Sequence, residues 1–338
     1  MKCLTKVMRE EILMEEYQTL EEELEVPDGL TQVFRRMVSP EESQILVLIT
    51  EDFHTAATLA AKVKKNPKKV TIILEALYRR GFLEKRRINS KEAYRCKSFY
   101  DIIKTHLQEG RHEALGHENL RTLREYYITT RIKKTEETIK GGQLEYTSRV
   151  IAIGKAVPTT QHVLPTQQAI EHLKKAELCA LTRCGCRVAF GNCDNPLDTC
   201  LILDEEAEHL IARGLAKEIT LEEAERTLEI ADKAGLVHLT LYLPGQRVYA
   251  VCSCCPCCCH ELQALLNYGK TFFVAESDYT AVCDTDQCNG CGECTRRCIF
   301  GAREMRNGKS FVREENCYGC GLCVTTCPTK ATRLIPRK

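Results

Sequence analysis

Cys288–Cys298 reads CNGCGECTRRC, and Cys317–Cys327 reads CYGCGLCVTTC. Each is C-x2-C-x2-C-x3-C, and the two are one repeat offset by 29 residues, with Ala302 and Ala331 also in correspondence. Three thiols so closely spaced fold into one tight loop and reach three irons of one cube, while the fourth points away. Pro328 follows the second run and completes the pattern that ligates [4Fe–4S] clusters; Ile299 stands in that place after the first. Gly290, Gly292, Gly319 and Gly321 tolerate the dihedrals that let backbone amides approach sulfur. Between the runs, Asn307-Gly308 is a hairpin signal. A structural zinc ion takes four ligands, so eight cysteines in two four-cysteine runs do not describe one zinc site.

These residues give the segment 283–338 a resemblance to two-cluster bacterial-type ferredoxins. The resemblance implies a ferredoxin-like 2[4Fe–4S] fold, one-electron transfer at low potential, and an exchange of the fourth ligand between the runs. One cluster would take Cys288, Cys291, Cys294 and Cys327, and the other Cys317, Cys320, Cys323 and Cys298. From 283 to 338 there are ten Lys/Arg and six Asp/Glu, an excess that two cubes with their thiolates would largely offset.

The whole chain has 338 residues, room for two or three domains. Its net charge of +1 names no partner. The start, MKCLTKVMREEILMEE, lacks the continuous apolar core of a signal peptide, and no run approaches the roughly 20 apolar residues of a membrane span. A cytoplasmic protein without membrane contact is the expectation. There, thiols stay reduced, so 22 cysteines point to metal binding rather than disulfides. Twenty of them follow residue 178, which leaves Cys3 and Cys96 as incidental.

Two further groups precede the C-terminal runs. Cys184-Gly-Cys186-Arg187, Cys193 and Cys200 make C-x-C-R-x5-C-x6-C on a loop that turns at Asp194-Asn195-Pro196. Val251–His260 reads VCSCCPCCCH and holds Cys252, Cys254, Cys255, Cys257, Cys258 and Cys259. Between the groups, Thr220–Glu223 is a capping box that opens a helix ending near Gly235. LVHLTLYL and QRVYAV then read as strands joined at Pro244-Gly245-Gln246. The six-cysteine stretch leaves a strand, turns at Pro256 and enters a helix, whose N-terminus favours thiolates. The reading is that the ten thiols form one site, holding one or two further iron–sulfur clusters; the alternative is a zinc site with spare structural cysteines. Arg187 is a candidate for binding an anionic substrate group, and His260 for moving a proton.

Over 150–338 these elements resemble a group of uncharacterised, cysteine-rich [4Fe–4S] dicluster proteins of anaerobic bacteria and archaea. That likeness carries a CxCR…C…P…C element, with Val163-Leu164-Pro165 ahead of it, a CxCCxCCC element, and the two runs. It implies iron–sulfur redox work and no specific reaction.

Residues 40–100 have the rhythm of a winged helix: an apolar helix over Pro40–Thr50, a short one over Thr55–Val63, and a third opened by Asn66-Pro67. Val70, Ile73, Leu74 and Leu77 make its buried stripe, and Phe82–Arg87 with Glu92–Lys97 make the wing. From 60 to 100 there are thirteen Lys/Arg and three Glu, whereas the first 30 residues carry nine acids and three bases. A basic wing and helix, with Lys68, Lys69 and Thr71 near its start, fit DNA; they equally fit an acidic redox partner. Gly141-Gly142 suggests a linker, and no phosphate loop or G-x-G-x-x-G follows a strand, which argues against a built-in nucleotide site.

The expectation is therefore an α+β multidomain protein: an acidic helix plus basic winged-helix-like domain over 1–110, a central cysteine-rich α/β region over 111–282, and the ferredoxin-like domain over 283–338. It would pass low-potential electrons between the C-terminal clusters and the central centre, exchanging them with a partner protein. A redox-sensing transcription regulator and a reductive enzyme working at the central cluster are the alternatives.

Overall fold

The computed structural model describes residues 17–110, 117–153 and 165–337. Cys3, the acidic stretch as far as residue 16, and Val163 and Leu164 lie outside the described residues. The chain divides into two compact units, Met1–Thr130 and Arg131–Lys338. No helix among the described residues is long and apolar enough to cross a membrane.

In the first unit, the Ser39 hydroxyl accepts from the Glu42 amide and the Glu42 carboxylate accepts from the Ser39 amide, which fixes the start of the helix Pro40–Leu46. The predicted helix to Thr50 is α-helical only to Leu46 and tightens into a 3₁₀ turn over Val47–Ile49, a common way to end a helix. Helices Ala56–Lys62 and Pro67–Arg79 follow, the second capped by Asn66 with Pro67 at its first position. Val70, Leu74 and Leu77 are its buried face. Strands β1 (His54–Thr55), β2 (Leu83–Ile88) and β3 (Lys91–Cys96) form an antiparallel sheet in the order β1-β3-β2. The β2–β3 turn places Asn89 and Ser90 at positive φ, which twists the hairpin as its sheet requires. Burial pushes the Cys96 thiol up to about 12, as fits an inert core cysteine.

The basic surface is less open than its charge count. Lys65 and Lys69 both pair with Glu41, Arg80 pairs with Glu42, Lys85 with Glu75 and Glu92, and Arg95 with Glu84.

The second unit is built on a seven-stranded sheet of β4 (Ser148–Ile151), β5 (Cys179–Arg183), β6 (Asp198–Leu203), β7 (Ala216–Glu218), β8 (Val237–Leu243), β9 (Arg247–Cys254) and β10 (Val274–Ala275). Its order is β10-β4-β8-β9-β6-β5-β7. Only the short β10–β4 pairing is parallel; the rest are antiparallel. Thr220 and Glu223 form the predicted capping box of the helix Leu221–Ala234, and Gly235 ends it at φ 76°. Ala224 and Leu228 of that helix pack on Leu201, Leu203 and Val251 of β6 and β9. The helix Gly185–Phe190 starts from Cys184, and His260–Tyr268 starts from Cys259.

The C-terminal segment adds two small antiparallel pairs: β11 (Tyr279–Cys283) with β14 (Thr332–Pro336), and β12 (Arg303–Arg306) with β13 (Lys309–Val312). Asn307 and Gly308 turn the second pair at positive φ, as predicted. This segment is tied to the sheet by the Ile153 amide, which donates to the Cys320 carbonyl at 2.9 Å.

A buried ion pair anchors the helix His260–Tyr268. Glu261 is 1% exposed and accepts from the Arg131 guanidinium and the Thr147 hydroxyl. Arg131→Ala would leave that carboxylate buried without its cation, and the expected cost is about 3–5 kcal/mol in urea unfolding. Arg131→Met combined with Glu261→Leu should recover most of the loss.

Candidate metal centre

The C-terminal runs obey an internal two-fold relation down to single hydrogen bonds. The Ala281 amide donates to the Cys317 sulfur at 3.4 Å, and the Ser310 amide to the Cys288 sulfur at 3.5 Å. The Ala302 amide donates to the Cys298 sulfur at 3.3 Å, and the Cys327 thiol is lowered by hydrogen bonds that include the Ala331 amide. The glycines obey the same relation. A Cβ on Gly290 would stand 2.3 Å from the Gly308 carbonyl oxygen, and one on Gly319 would stand 2.0 Å from the Tyr279 carbonyl oxygen. Both positions have positive φ, so glycine is required by conformation and by space.

One cavity is lined by Cys298, Cys317, Cys320 and Cys323, with Phe300 and Tyr318 stacked at its edge. The fourth cysteine of the first run thus sits with the first three of the second. Four thiols around one cavity, with amides aimed at the sulfurs, fit a cluster that carries negative charge. In the other set, Cys288 and Cys294 meet at Ser310, whose hydroxyl accepts from the Cys294 thiol at 3.0 Å. Cys291 is exposed.

Two residues here escaped sequence reasoning. The Ser310 and Gly290 amides hold the Cys288 thiol below its usual range, and Cys283 beside it adds a smaller contribution. Arg303 is 4% exposed; its Nη2 donates to the Cys323 sulfur at 3.2 Å and its Nη1 to the Ser310 hydroxyl at 3.2 Å. One guanidinium therefore touches one thiol set directly and the other through a hydroxyl. Burial alone would lower its pKa, but Cys323 and Cys294 outweigh burial and raise it. A repeat search misses Arg303, because Thr332 stands at the equivalent position of the second half.

The ten central thiols come together and sort into two sets. The first is Cys193, Cys255, Cys257 and Cys258, whose sulfurs all lie within 4.8 Å of one another. Cys193 is 3.7 Å from Cys255 and 3.8 Å from Cys258, and Cys257 is 3.9 Å from Cys258. The second is a chain of six: Cys184 hydrogen-bonds Cys186 and Cys200, Cys186 meets Cys259, Cys200 meets Cys252, and Cys254 meets Cys259. Cys252 and Cys254 project from one face of β9, so the chain nearly closes on itself. Hydrogen bonds from Cys186 and Cys200 hold the Cys184 thiol far below the usual range, while those two thiols rise well above it. Cys179 belongs to neither set; it packs on the sheet core, and burial pushes it up to about 11.

Arg187 lies between the sets and is 2% exposed. Its Nη1 donates to the Ser253 carbonyl at 3.1 Å and reaches the Cys255 sulfur at 3.9 Å, and its Nη2 donates to the Thr199 hydroxyl. It faces sulfur and backbone rather than an open surface that would receive a substrate. His260 places Nδ1 3.0 Å from the Cys186 sulfur and Nε2 3.5 Å from Glu261.

A family model described as a 4Fe-4S dicluster domain matches residues 287–332. No curated protein and no solved structure matches the chain, and nothing in these comparisons supports the wider likeness over 150–338. The matched domain indicates iron–sulfur clusters, and with the central cysteine group it supports iron–sulfur electron transfer.

Arg303 supplies positive charge and a donor to the sulfurs, both of which ease the addition of an electron. Arg303→Leu should lower the reduction potential on the order of 50 mV, near one tenfold change in the one-electron equilibrium. A redox titration followed by electron paramagnetic resonance would read it, and an unchanged potential would remove Arg303 from that role.

Proposed function

We propose that the chain is an electron-transfer protein, or the electron-transfer subunit of a redox enzyme. It passes low-potential electrons between two C-terminal [4Fe–4S] clusters and a further cluster in the central region. The observation that carries the reading is the gathering of Cys298 with Cys317, Cys320 and Cys323 around one cavity, in a segment that matches a dicluster domain. Cys288, Cys291, Cys294 and Cys327 would hold the other C-terminal cluster. In the centre, the ligands would come from Cys184, Cys186, Cys200, Cys252, Cys254 and Cys259.

When bound, the clusters supply reversible one-electron chemistry. The chain's own part is electrostatic and geometric. Amides of Ala281, Ala302 and Ser310 point at sulfurs and stabilise their negative charge. Arg303 and Arg187 provide buried cations beside the thiols. Burial of Cys288, Cys294, Cys317 and Cys323 limits rearrangement when an electron arrives.

We read residues 40–100 as a winged helix that docks a partner protein. Lys65, Lys69, Arg80, Lys85 and Arg95, among its thirteen basic residues, pair with carboxylates, a weaker phosphate-binding surface than the charge count suggests. An acidic redox partner, held by fewer charges, suits it better than duplex DNA.

Iron and acid-labile sulfide, counted on anaerobically purified full-length protein, test the reading. About 12 of each are expected, falling to about 8 in a Cys200→Ser, Cys252→Ser double variant. About 8 in both proteins would remove the central cluster from the proposal. Duplex DNA should bind negligibly at physiological salt; tight binding with a steep salt slope would favour the regulator instead.

A further inference from the structure

We propose that Cys193, Cys255, Cys257 and Cys258 form a closed four-thiolate site for one tetrahedral metal ion, zinc, separate from the iron–sulfur centres. The spacing of the sulfurs carries the assignment. A tetrahedral ion with metal–sulfur bonds of about 2.3 Å spaces its thiolates about 3.8 Å apart. Three of the six sulfur–sulfur separations here are 3.7, 3.8 and 3.9 Å, and all six lie within 4.8 Å. Around a four-iron cube each thiolate binds a different iron, so the sulfurs stand farther apart than around one ion. The C-terminal runs provide a comparison within the same chain. Among the described residues, Cys193, Cys255, Cys257 and Cys258 are the one group of three or more metal-binding side chains drawn so close; the eight C-terminal thiols form none.

The surroundings fit a structural site. Cys255 and Cys258 are buried with Ala231 and Leu236, and Phe190, Ala234, Cys193 and Cys257 pack against them. Four protein sulfurs complete a tetrahedron and leave no position for substrate, and zinc has no redox chemistry of its own. The supports that orient the ligands are also present. The Asn195 side chain donates to the Cys193 sulfur at 3.2 Å. Asn192 and Gln263 donate to the Cys257 carbonyl at 2.8 and 3.0 Å. The Arg187 guanidinium beside Cys255 offsets part of the excess negative charge of four thiolates on a divalent ion. The ion would join the loop after the helix Gly185–Phe190 to the turn that follows β9, two segments about sixty residues apart.

The test is metal analysis and zinc-edge X-ray absorption on the full-length chain, purified anaerobically from zinc-replete cells. About one zinc per chain, with about four sulfurs at about 2.3 Å and no neighbouring metal, is the expected result. Cys193→Ser with Cys258→Ser should lose zinc at least about tenfold and keep its iron and sulfide. Cys200→Ser with Cys252→Ser should keep its zinc. Zinc far below one per chain, zinc bound by nitrogen or oxygen, or loss of iron and sulfide from the Cys193/Cys258 variant would overturn the proposal. Should that variant fail to fold, absorption on the unaltered chain decides alone. The zinc readout is independent of the iron count that tests the central cluster.

Discussion

The antiparallel pairing of β6 with β9 sets Leu201 opposite Val251 and Ile202 opposite Ala250, and the Cys200 and Cys252 thiols meet just beyond it. Everything central to the second unit depends on it. A slip of one residue would turn Cys252 and Cys254 to the other face and present Ser253 in their place. The register is held from the core side, where Leu201, Leu203 and Val251 are packed under the helix Leu221–Ala234. The same pairing places Ser253 opposite His238, whose Nδ1 lies 3.0 Å from the serine hydroxyl and whose Nε2 lies 2.6 Å from Asp232. Alternate residues of one strand therefore serve the thiol set and the polar network behind it.

Much of this was readable from the sequence, and the parts that were not share a cause. The two C-terminal runs are local patterns, the first three cysteines of each sharing one loop, so their spacing is visible along the chain. The capping box at Thr220, the Asn307-Gly308 turn and the β8–β9 hairpin are equally local, and each stands where its residues imply. The sorting of the ten central thiols is not local. Cys193 leaves its sequence neighbours Cys184, Cys186 and Cys200 to join Cys255, Cys257 and Cys258. One signal was available in strand parity: Cys252 and Cys254 share a face of β9, whereas Cys255 begins the turn beyond it. Arg303 gave no signal, since it breaks the very repeat that reveals its surroundings.

Charge was the least transferable reading. A net +10 over 60–100 describes composition, while the surface field depends on which cations are already paired. Glu41 alone takes two lysines, from 24 and 28 positions along the chain, and Glu75 takes Lys85. Such pairs contribute little to stability where exposed, yet they reduce the charge left for a partner.

Arg187 shows why two kinds of thiol site can stand side by side. Burial opposes its charge, but Cys184, Cys255 and Cys200 together outweigh burial and hold it protonated. Its guanidinium is fixed by the Thr199 hydroxyl and the Ser253 carbonyl, both buried and both on strands of the same register. A cation so held cannot swing toward sulfur when negative charge grows there. On the proposed assignment, one neighbouring site keeps a constant charge while the other gains and loses an electron. The fixed site and the fixed arginine then act as a rigid frame, and the electron changes the charge of the six-thiol set without moving the chain around it. Low rearrangement of this kind is what an electron-transfer centre requires. On that assignment it would follow from a strand register and a closed metal site rather than from any residue that reacts.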